Sequence, residues 1–371
     1  MRSDEPTACR RLRGNVSKDP TIGIRPMELA DIPQVVQLVA AMTESRSERE
    51  LARFLEQALF AQPWADPEIP SLVYVDGGEI LGTIAASLRR ARFDGRPIRM
   101  VCSSFFYTHP SVRGRGVGPQ LLRALLAGPQ DITIADRATE TVRLLWESFG
   151  GRVSDLGCLS FVRIFRPWRL GAERLAGKRP QTPLMNSLAR ITVPLDFATN
   201  RVARSLLEPS VPKGDVEALT PSTMMENLTA VIASVRFRLD YDEAYLEWLY
   251  GQLDELADHE RLCEIVRRNG RPIGWYIALS QPGGLYRVLQ IAAQPRETKA
   301  ILEHLFHRAW ERGATAVVGR LERNLVPALH CLRGPIAYTQ TERMLIHARD
   351  RELVDAVLSG DRCLTRLDGE W

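Results

Sequence analysis

The sequence predicts an α/β protein of two domains, each a mixed central sheet flanked by helices. Three observations carry this prediction. Within residues 108–126, closely spaced glycines stand between an apolar run and a helical pattern. Two apolar runs flank a glycine turn at 72–84, and the same hairpin pattern occurs again at 266–275. At 371 residues the chain is also longer than a single hydrophobic core normally supports.

The first domain is predicted over residues 21–165. Ile22–Pro26 forms its first strand, and Asp31 is placed to cap the helix that follows. Residues 72–84 are predicted to form a β-hairpin, because apolar runs flank residues that accept the backbone angles of a tight turn.

A glycine-rich loop is the most informative part of this domain. Glycines at 114, 116 and 118 let the backbone turn tightly and bring several N–H groups onto one point, where the positive end of the following helix adds to them. Pro119 fits the first turn of that helix, and Gly128 ends it. We therefore expect an anionic ligand. No Gly-Lys-Ser/Thr follows, and the glycine spacing is not that of a dinucleotide fold, so both nucleotide-binding alternatives are disfavoured.

The loop Arg113-Gly114-Arg115-Gly116-Val117-Gly118 resembles motif A of the GNAT superfamily of acyl-CoA-dependent N-acyltransferases. The order of strand, helix and hairpin also fits, and the likeness covers roughly residues 21–165. The resemblance implies transfer of an acetyl or similar acyl group from acyl-CoA to an amine. It also implies that pantetheine pairs with one strand and that a backbone N–H near Phe106 faces the thioester oxygen. The cofactor-binding residues so implied are Phe106, Tyr107, Thr108, Arg113, Gly114, Arg115, Gly116, Val117 and Gly118.

The sequence departs from the family pattern at the acid and the base. Cys102 falls about where many members carry a glutamate that acts as general base. Trp146 stands where many members place a tyrosine as general acid, and an indole N–H is not a comparable proton donor. The catalytic residues are therefore left unassigned. Tyr107 is the one candidate that we name, and core packing is the alternative role of its ring.

A second, degenerate GNAT-like domain is predicted over residues 215–371. The pattern Gly-x-x-Leu/Ile-Gly occurs at 78–82 and again at 270–274, and a strand and an amphipathic helix follow. The counterpart of the glycine loop, residues 294–299, contains no glycine and places Glu297 at the helix entrance, where a carboxylate repels pyrophosphate. We therefore expect this domain to bind no acyl-CoA and to shape the acceptor cleft or an interface. The alternative is a chance similarity of two strand-helix-strand units.

Residues 166–214 are predicted to form a basic linker that contains six prolines. Between 166 and 210, eight Lys or Arg against three Asp or Glu give +5, which exceeds the formal net charge of +4 of the whole chain. Such a segment is most often a solvated linker, and peripheral contact with an anionic membrane or an acidic partner is the alternative. No nucleic-acid-binding signature accompanies the charge, so no nucleic-acid partner is expected.

Composition limits the location and the cofactors. No apolar run is long enough for a membrane span, and the N-terminal residues are charged and polar, so we expect a cytoplasmic protein. The six cysteines form no Cys-x-x-Cys pair, which argues against a metal site and a disulfide framework. The acceptor amine, the acyl chain length and the oligomeric state are left open by the sequence.

Two classes of function remain at this stage. The first is an N-acyltransferase, and the second is a non-catalytic acyl-CoA-binding or assembly protein that kept the glycine loop and lost its acid and base. Other branches with two GNAT-like halves, such as mycothiol synthase and the Fem peptidyl transferases, are a further alternative. The Fem enzymes use aminoacyl-tRNA, and the presence of a pyrophosphate-binding loop in this sequence argues against that alternative.

Overall fold

The fold is taken from a computed structural model of the chain. The structure describes residues 22–40, 47–176, 195–196, 199, 204–232, 235–255, 260–281, 284–340 and 343–369. Contacts divide the chain into two compact units. The loop unit comprises residues 1–60, 70–86 and 105–127, and the large unit comprises 61–69, 87–104 and 128–371. The boundaries near residues 165 and 214 that the sequence suggested stay a prediction.

The loop unit contains the predicted first strand and hairpin. Its elements are β1 (Ile22–Pro26), α1 (Ile32–Val39), α2 (Glu48–Leu59), β2 (Leu72–Asp76), residues 79–86 of β3 (Glu79–Phe93), residues 105–108 of β4 (Arg96–Thr108) and α3 (Val117–Leu126). Strand β2 pairs antiparallel with β1 and with β3. The hairpin prediction is confirmed, because Gly77 and Gly78 turn the chain with φ of 64° and 85°, which glycine adopts without strain.

The expected cap of α1 by Asp31 is wrong. The Asp31 carboxylate makes no cap bond to α1. It accepts bonds of 2.6 and 2.8 Å from the Arg25 guanidinium and one of 2.8 Å from the Glu28 N–H. The Arg25 hydrogen bond holds the pKa of Asp31 below its usual value despite partial burial. Asp31 therefore fixes the end of β1, because a charged donor outcompetes the helix N–H groups for its oxygens.

Helices cover the short sheet of the loop unit. An apolar cluster joins α1, α2 and β2, with Val35, Leu55 and Val73 fully buried. Helix α3 packs on the hairpin at Gly82, where an added Cβ would lie 3.0 Å from Leu121 Cδ1 and 3.1 Å from Val117 Cγ1. The glycine thus lets α3 approach the sheet closely and fixes the position at which the helix begins.

The large unit carries strands of two separate mixed sheets, as the predicted fold class requires. Besides the remaining parts of β3 and β4, its strands are β5 (Ile132–Ala138), β6 (Arg152–Val153), β7 (Leu159–Ile164), β8 (Asp215–Ala218), β9 (Phe237–Leu239), β10 (Arg261–Arg268), β11 (Arg271–Gln281), β12 (Leu285–Ala293), β13 (Ala316–Arg320), β14 (Ile336–Gln340), β15 (Arg343–Ala348) and β16 (Arg362–Cys363). Its helices are α4 (Glu140–Ser148), α5 (Pro167–Ala176), α6 (Arg204–Leu207), α7 (Pro221–Ile232), α8 (Glu243–Asp254), α9 (Thr298–Glu311), α10 (Val326–His330) and α11 (Arg351–Ser359).

Within the large unit the two sheets exchange a strand. Strand β15, from the second half of the sequence, lies between β5 and β6 in the first sheet. Strand β7, from the first half, lies between β13 and β14 in the second sheet. Each sheet therefore needs a strand from the other half of the sequence to complete its backbone hydrogen bonds.

The second hairpin and its helix follow the sequence prediction. Strands β10 and β11 turn at Asn269 and Gly270, with φ of 52° and 75°. Helix α9 begins at Thr298, and Glu297 at its start pairs with Arg268 at 2.8 Å. No glycine loop precedes this helix.

Only part of the basic linker can be described, because residues 177–194, 197–198 and 200–203 lie outside the described residues. The Asp196 carboxylate accepts from the N–H groups of Trp168 and Arg169, both at 3.0 Å, and so caps the start of α5. None of the helices in the described part of the chain has the length and the apolar character that crossing a membrane requires.

Candidate functional site: the glycine loop before helix α3

The loop between β4 and α3 adopts the conformation that its glycines permit. Gly114 and Gly116 have φ of 82° and 76°, in the left-handed region where a side chain adds strain. Gly116 directly precedes the first turn of α3. The first N–H groups of a helix have no partner inside it, and they carry the positive end of the helix dipole. This is the arrangement that binds phosphate groups.

Gly118 has a different role from the other two glycines. Its φ is not left-handed, and an added Cβ would meet Phe106 Cζ at 3.6 Å and Thr108 Cγ2 at 3.8 Å, which are ordinary contacts. The fold itself therefore tolerates a side chain here. Gly118 lies in the first turn of α3, so its contribution to an anion site is its backbone N–H group.

Of the three remaining loop residues, one is buried and two are exposed. Val117 is buried against Gly82, so only its backbone is available to a ligand. Arg113 is exposed. The Arg115 guanidinium pairs with the Asp76 carboxylate at 3.0 Å, and both groups keep solvent contact. Such an exposed pair contributes at most about 1 kcal/mol, so it holds Arg115 weakly.

The end of β4 places alternate side chains on two faces. Phe106 and Thr108 lie over Gly118, whereas Phe105 and Tyr107 pack against the apolar cluster of α1, α2 and β2. Phe105 has φ of 45°, a strained conformation for an aromatic residue. Tyr107 is thus half-buried among core side chains. The structure gives its ring a packing contact, and a catalytic role for it stays a prediction.

His109 follows the end of β4. Its main-chain N–H makes a hydrogen bond there, and its side chain caps the turn that comes next. Its N–H donates to the Leu81 carbonyl at 2.8 Å, and its ring Nδ1 lies 2.7 Å from Ser111 Oγ. The side chain also accepts from the Ser111 N–H at 3.3 Å. These bonds hold the segment between β4 and the glycine loop and so help to position the loop.

The family positions of acid and base are both occupied by core residues. Cys102 is 2% exposed and belongs to the apolar core of the large unit. Its strand β4 pairs with β5 from Met100↔Ile132 to Cys102↔Ile134. Trp146 on α4 is 1% exposed. Neither side chain reaches solvent, so packing explains both.

A buried polar network in the large unit was not found from the sequence. The Asp368 carboxylate accepts from the Tyr241 hydroxyl and from Thr365, through its N–H at 2.6 Å and its Oγ1 at 2.7 Å. Burial raises the pKa of Asp368 and that of Tyr241. The Thr-x-x-Asp spacing at 365–368 is a capping-box pattern that could have revealed the turn, but nothing local points to Tyr241.

The second half retains an opening between strands, and its own chain fills part of it. Pairing of β12 with β13 ends at Arg287↔Val318, and β12 bulges next to Leu289. Residues 364–368 lie against β12 there, held by bonds from Gln290 to Thr365 at 3.3 Å and from Arg320 to the Leu364 carbonyl at 2.6 Å. The cavity that remains has a volume of only about 20 Å³.

No metal centre emerges from the part of the chain that the structure describes, because no group of three or more His, Cys, Asp or Glu residues could hold an ion there. The loop site itself presents backbone N–H groups, glycines and the aromatic side chain of Phe106. Those groups suit an anionic, partly apolar ligand rather than a cation.

Comparison with known proteins finds a family match for part of the chain. Residues 35–134 match the acetyltransferase (GNAT) family, a range that includes β2, β3, β4, the glycine loop and α3. No protein among the curated sequences matches the chain.

Solved structures share the fold at low identity. A probable N-acyltransferase of Enterococcus faecalis V583 has a TM-score of 0.56 at 10% identity, over 88% of this chain and 73% of that one. A GCN5-related N-acetyltransferase from Kribbella flavida has a TM-score of 0.52 at 16% identity, over 93% and 75%. The N-myristoyltransferase of Saccharomyces cerevisiae, solved with myristoyl-CoA, has a TM-score of 0.52 at 11% identity, over 92% and 86%.

These likenesses establish the fold, and the matched range contains the whole loop whose geometry is described above. Residues 35–134 thus match the acetyltransferase (GNAT) family, and the chain is similar in fold to solved GNAT acetyltransferases and to an N-myristoyltransferase.

Proposed function

We propose that this protein is an acyl-CoA-dependent N-acyltransferase that moves an acetyl or similar acyl group to an amine. The observation that carries the proposal is the loop of residues 113–118, in which two left-handed glycines, Gly114 and Gly116, lead directly into the first turn of helix α3. A cytoplasmic location and an amine-bearing small molecule or peptide as acceptor belong to the same proposal.

The chain contributes binding and orientation in this proposal. The N–H groups at the start of α3 would hold the pyrophosphate, and the backbone of residues 106–108 would hold the pantetheine arm as an added strand. The thioester supplies an activated acyl carbon. The amine nitrogen forms a bond to that carbon while the carbon–sulfur bond breaks, the nitrogen loses a proton, and the thiolate leaves with the electron pair. Holding both reactants in place accounts for much of the expected rate acceleration.

A second candidate is a non-catalytic acyl-CoA-binding protein. Cys102 and Trp146 favour it, because both occupy family acid and base positions and both are buried as core residues. An enzyme would then take its base from another residue or through water. Release of free CoA in the presence of an amine separates the candidates, since the binding protein would hold acyl-CoA without turnover.

The second half is proposed to bind no acyl-CoA. Glu297 stands at the start of α9, where the dipole would otherwise attract phosphate, and it is paired with Arg268 at 2.8 Å. Residues 364–368 already occupy the opening beside β12. Both features support the proposal that this half holds no cosubstrate.

Gly118→Glu tests the proposal. Titration calorimetry with acetyl-CoA and with desulfo-CoA should show micromolar binding to the wild type. The substitution should weaken it at least tenfold, because a Cβ fits at this position with its nearest neighbour 3.6 Å away, while a carboxylate at the start of α3 repels the pyrophosphate.

Gly251→Glu, on α8, is the matched control, because it adds the same charge where an added Cβ meets nothing within 4 Å. Its affinity should equal that of the wild type. Folded wild-type protein that binds neither ligand would contradict the proposed function, and equal affinities for the wild type and Gly118→Glu would move the site away from this loop.

A further inference from the structure

A cavity of the large unit lies where the edge strand β8 ends. Its volume is about 310 Å³, which is within the range of cavities that hold small ligands. Strand β8 pairs with β10 only as far as Ala218↔Glu264, whereas β10 begins earlier, at Arg261. Residues of both strands line the cavity together with Arg312, which follows the last turn of helix α9.

The carboxylates that line this cavity already have donors. Glu264 is 8% exposed, and its side chain accepts from Arg308 Nη2 at 2.9 Å and from the Tyr276 hydroxyl. Glu217 accepts from Arg267 Nε at 2.9 Å. A cationic ligand would have to displace these donors, so the cavity is poorly suited to a cation.

Two arginines at the cavity have donors left over. Nη2 of Arg261 pairs with Asp254 at 2.6 Å, but its Nη1 is buried and has no hydrogen-bond partner among the described residues. Arg312 uses Nη1 for its hydrogen bonds, to Glu260 at 2.9 Å and to the Arg261 carbonyl at 3.0 Å. Its Nη2 lies 3.7 Å from Glu264, which is beyond hydrogen-bond distance. A buried donor without an acceptor is costly, so the Arg261 guanidinium calls for an explanation.

Tyr250 on α8 adds a buried hydroxyl of the same kind. The residue is 8% exposed, and its hydroxyl makes no hydrogen bond within the described part of the chain. Burial and the nearby Cys263 raise the pKa of Tyr250, and Arg261 opposes the increase. The hydroxyl therefore lies near two residues that line the cavity, and it stays protonated at neutral pH, so that it can donate.

We propose that this cavity binds a small anion that presents several carboxylate or phosphate oxygens. The acceptors of the lining are occupied whereas donors remain, so a ligand gains most by supplying acceptor oxygens. Arg261 and Arg312 would provide the positive charge, and the Tyr250 hydroxyl would provide a neutral donor.

The carboxylates that already pair with the two arginines compete only weakly with such a ligand. Asp254, the partner of Arg261, is 61% exposed, and Glu260, the partner of Arg312, is 52% exposed. Solvent screens exposed pairs of this kind. All of these residues belong to the large unit, so the inference does not depend on the proposed acyl transfer.

Titration calorimetry with citrate and with inorganic phosphate tests the inference, with sodium chloride at equal ionic strength as the blank. The wild type should bind at least one of the two anions at millimolar strength or tighter. Tighter binding of citrate identifies an organic acid as the ligand class, and tighter binding of phosphate identifies a phosphate group. Tyr250→Phe should weaken the binding about tenfold, the loss expected for one hydrogen bond to a charged group. Its melting temperature without the anion should not fall, because the removed hydroxyl had no partner. Arg261→Met should weaken the binding at least as much.

Two variants serve as matched controls. Tyr245→Phe removes a hydroxyl from the same helix that likewise has no partner among the described residues, but the Tyr245 ring stacks on Trp64, with 3.5 Å between centroids, and does not line the cavity. Arg271→Met removes one positive charge from the β10–β11 hairpin at an exposed position outside the cavity lining. Both variants should bind the anion as the wild type does.

Three results would overturn the inference. The first is folded wild-type protein that binds neither anion at millimolar concentration. The second is equal binding by the wild type, Tyr250→Phe and Arg261→Met. The third is a loss of binding in Tyr245→Phe as large as that in Tyr250→Phe, since the loss would then reflect the packing of α8 rather than contact with the ligand. None of these results bears on acyl-CoA binding by the glycine loop, which the titration with desulfo-CoA measures separately.

Discussion

Arg320 is expected to be among the most costly residues to remove from the large unit. Its guanidinium, at the end of β13 in the second sheet, pairs with Asp136 on β5 in the first sheet, and their side chains are 5% and 1% exposed. It also donates to Glu322 at 2.7 Å and to the Leu364 carbonyl at 2.6 Å. Arg320→Met keeps the aliphatic stem and leaves these acceptors without their cation. Removing one partner of a buried pair costs about 3–5 kcal/mol.

A double-mutant cycle measures this coupling. Arg320→Met, Asp136→Asn and the double variant are unfolded in urea, and the free energy of unfolding is obtained by linear extrapolation. The single variants should each lose about 2–5 kcal/mol, and the double variant should lose at least about 2 kcal/mol less than their sum. Tryptophan fluorescence and circular dichroism must give coincident transitions, since a two-state analysis is valid only then.

The exposed pair Arg90–Asp242 is the reference, with side chains 58% and 43% exposed. Its coupling should stay within about 1 kcal/mol, because solvent screens the charges. A cost below about 1 kcal/mol for Arg320→Met, or a coupling no larger than that of the reference pair, would refute the reasoning that this ion pair locks the two sheets together.

Two further predictions concern the strand exchange and pH. Residues 21–165 expressed alone should form no stable monomer, because β7 then lacks its neighbours β13 and β14, and β5 and β6 lack β15. If light scattering shows a monomer and this monomer unfolds cooperatively, the prediction is wrong. Burial lowers the pKa of His304 on α9, so the unfolded state binds more protons and stability is lost as pH falls below the usual histidine value of 6.5. The melting temperature should therefore drop between pH 7.5 and 5.5, and His304→Gln should flatten the drop; an unchanged slope would refute a role for this group.

The sequence predicted the elements that depend on local turn chemistry. Both hairpins are where the glycine pairs and apolar runs placed them, because a two-residue turn with positive φ fixes the register of the strands beside it. The helices that the sequence predicted after the glycine loop and after residues 294–297 are also present, as α3 and α9. The expected cap of α1 failed, because Arg25 is the stronger partner for Asp31 and lies on a strand rather than in the helix.

Only the part of the candidate site that depends on local sequence was predicted. The glycine spacing named residues 113–118, and the structure brings Phe106 and Thr108 over Gly118 within the same unit. The strained Phe105 and its partner Phe54 were not predicted, because no local pattern marks a left-handed aromatic residue or a contact between a strand and a helix some 50 residues apart in sequence.

The sequence by itself determined the glycine loop, the two hairpins and the loss of the glycine loop in the second half, because each follows from residue types at short spacing. Only the tertiary structure decided that β7 and β15 exchange sheets, and that Asp136 meets Arg320 across 184 residues of sequence. Pairing between distant segments depends on which partner satisfies a strand edge or a buried charge best, and that competition is settled only when all segments are packed together.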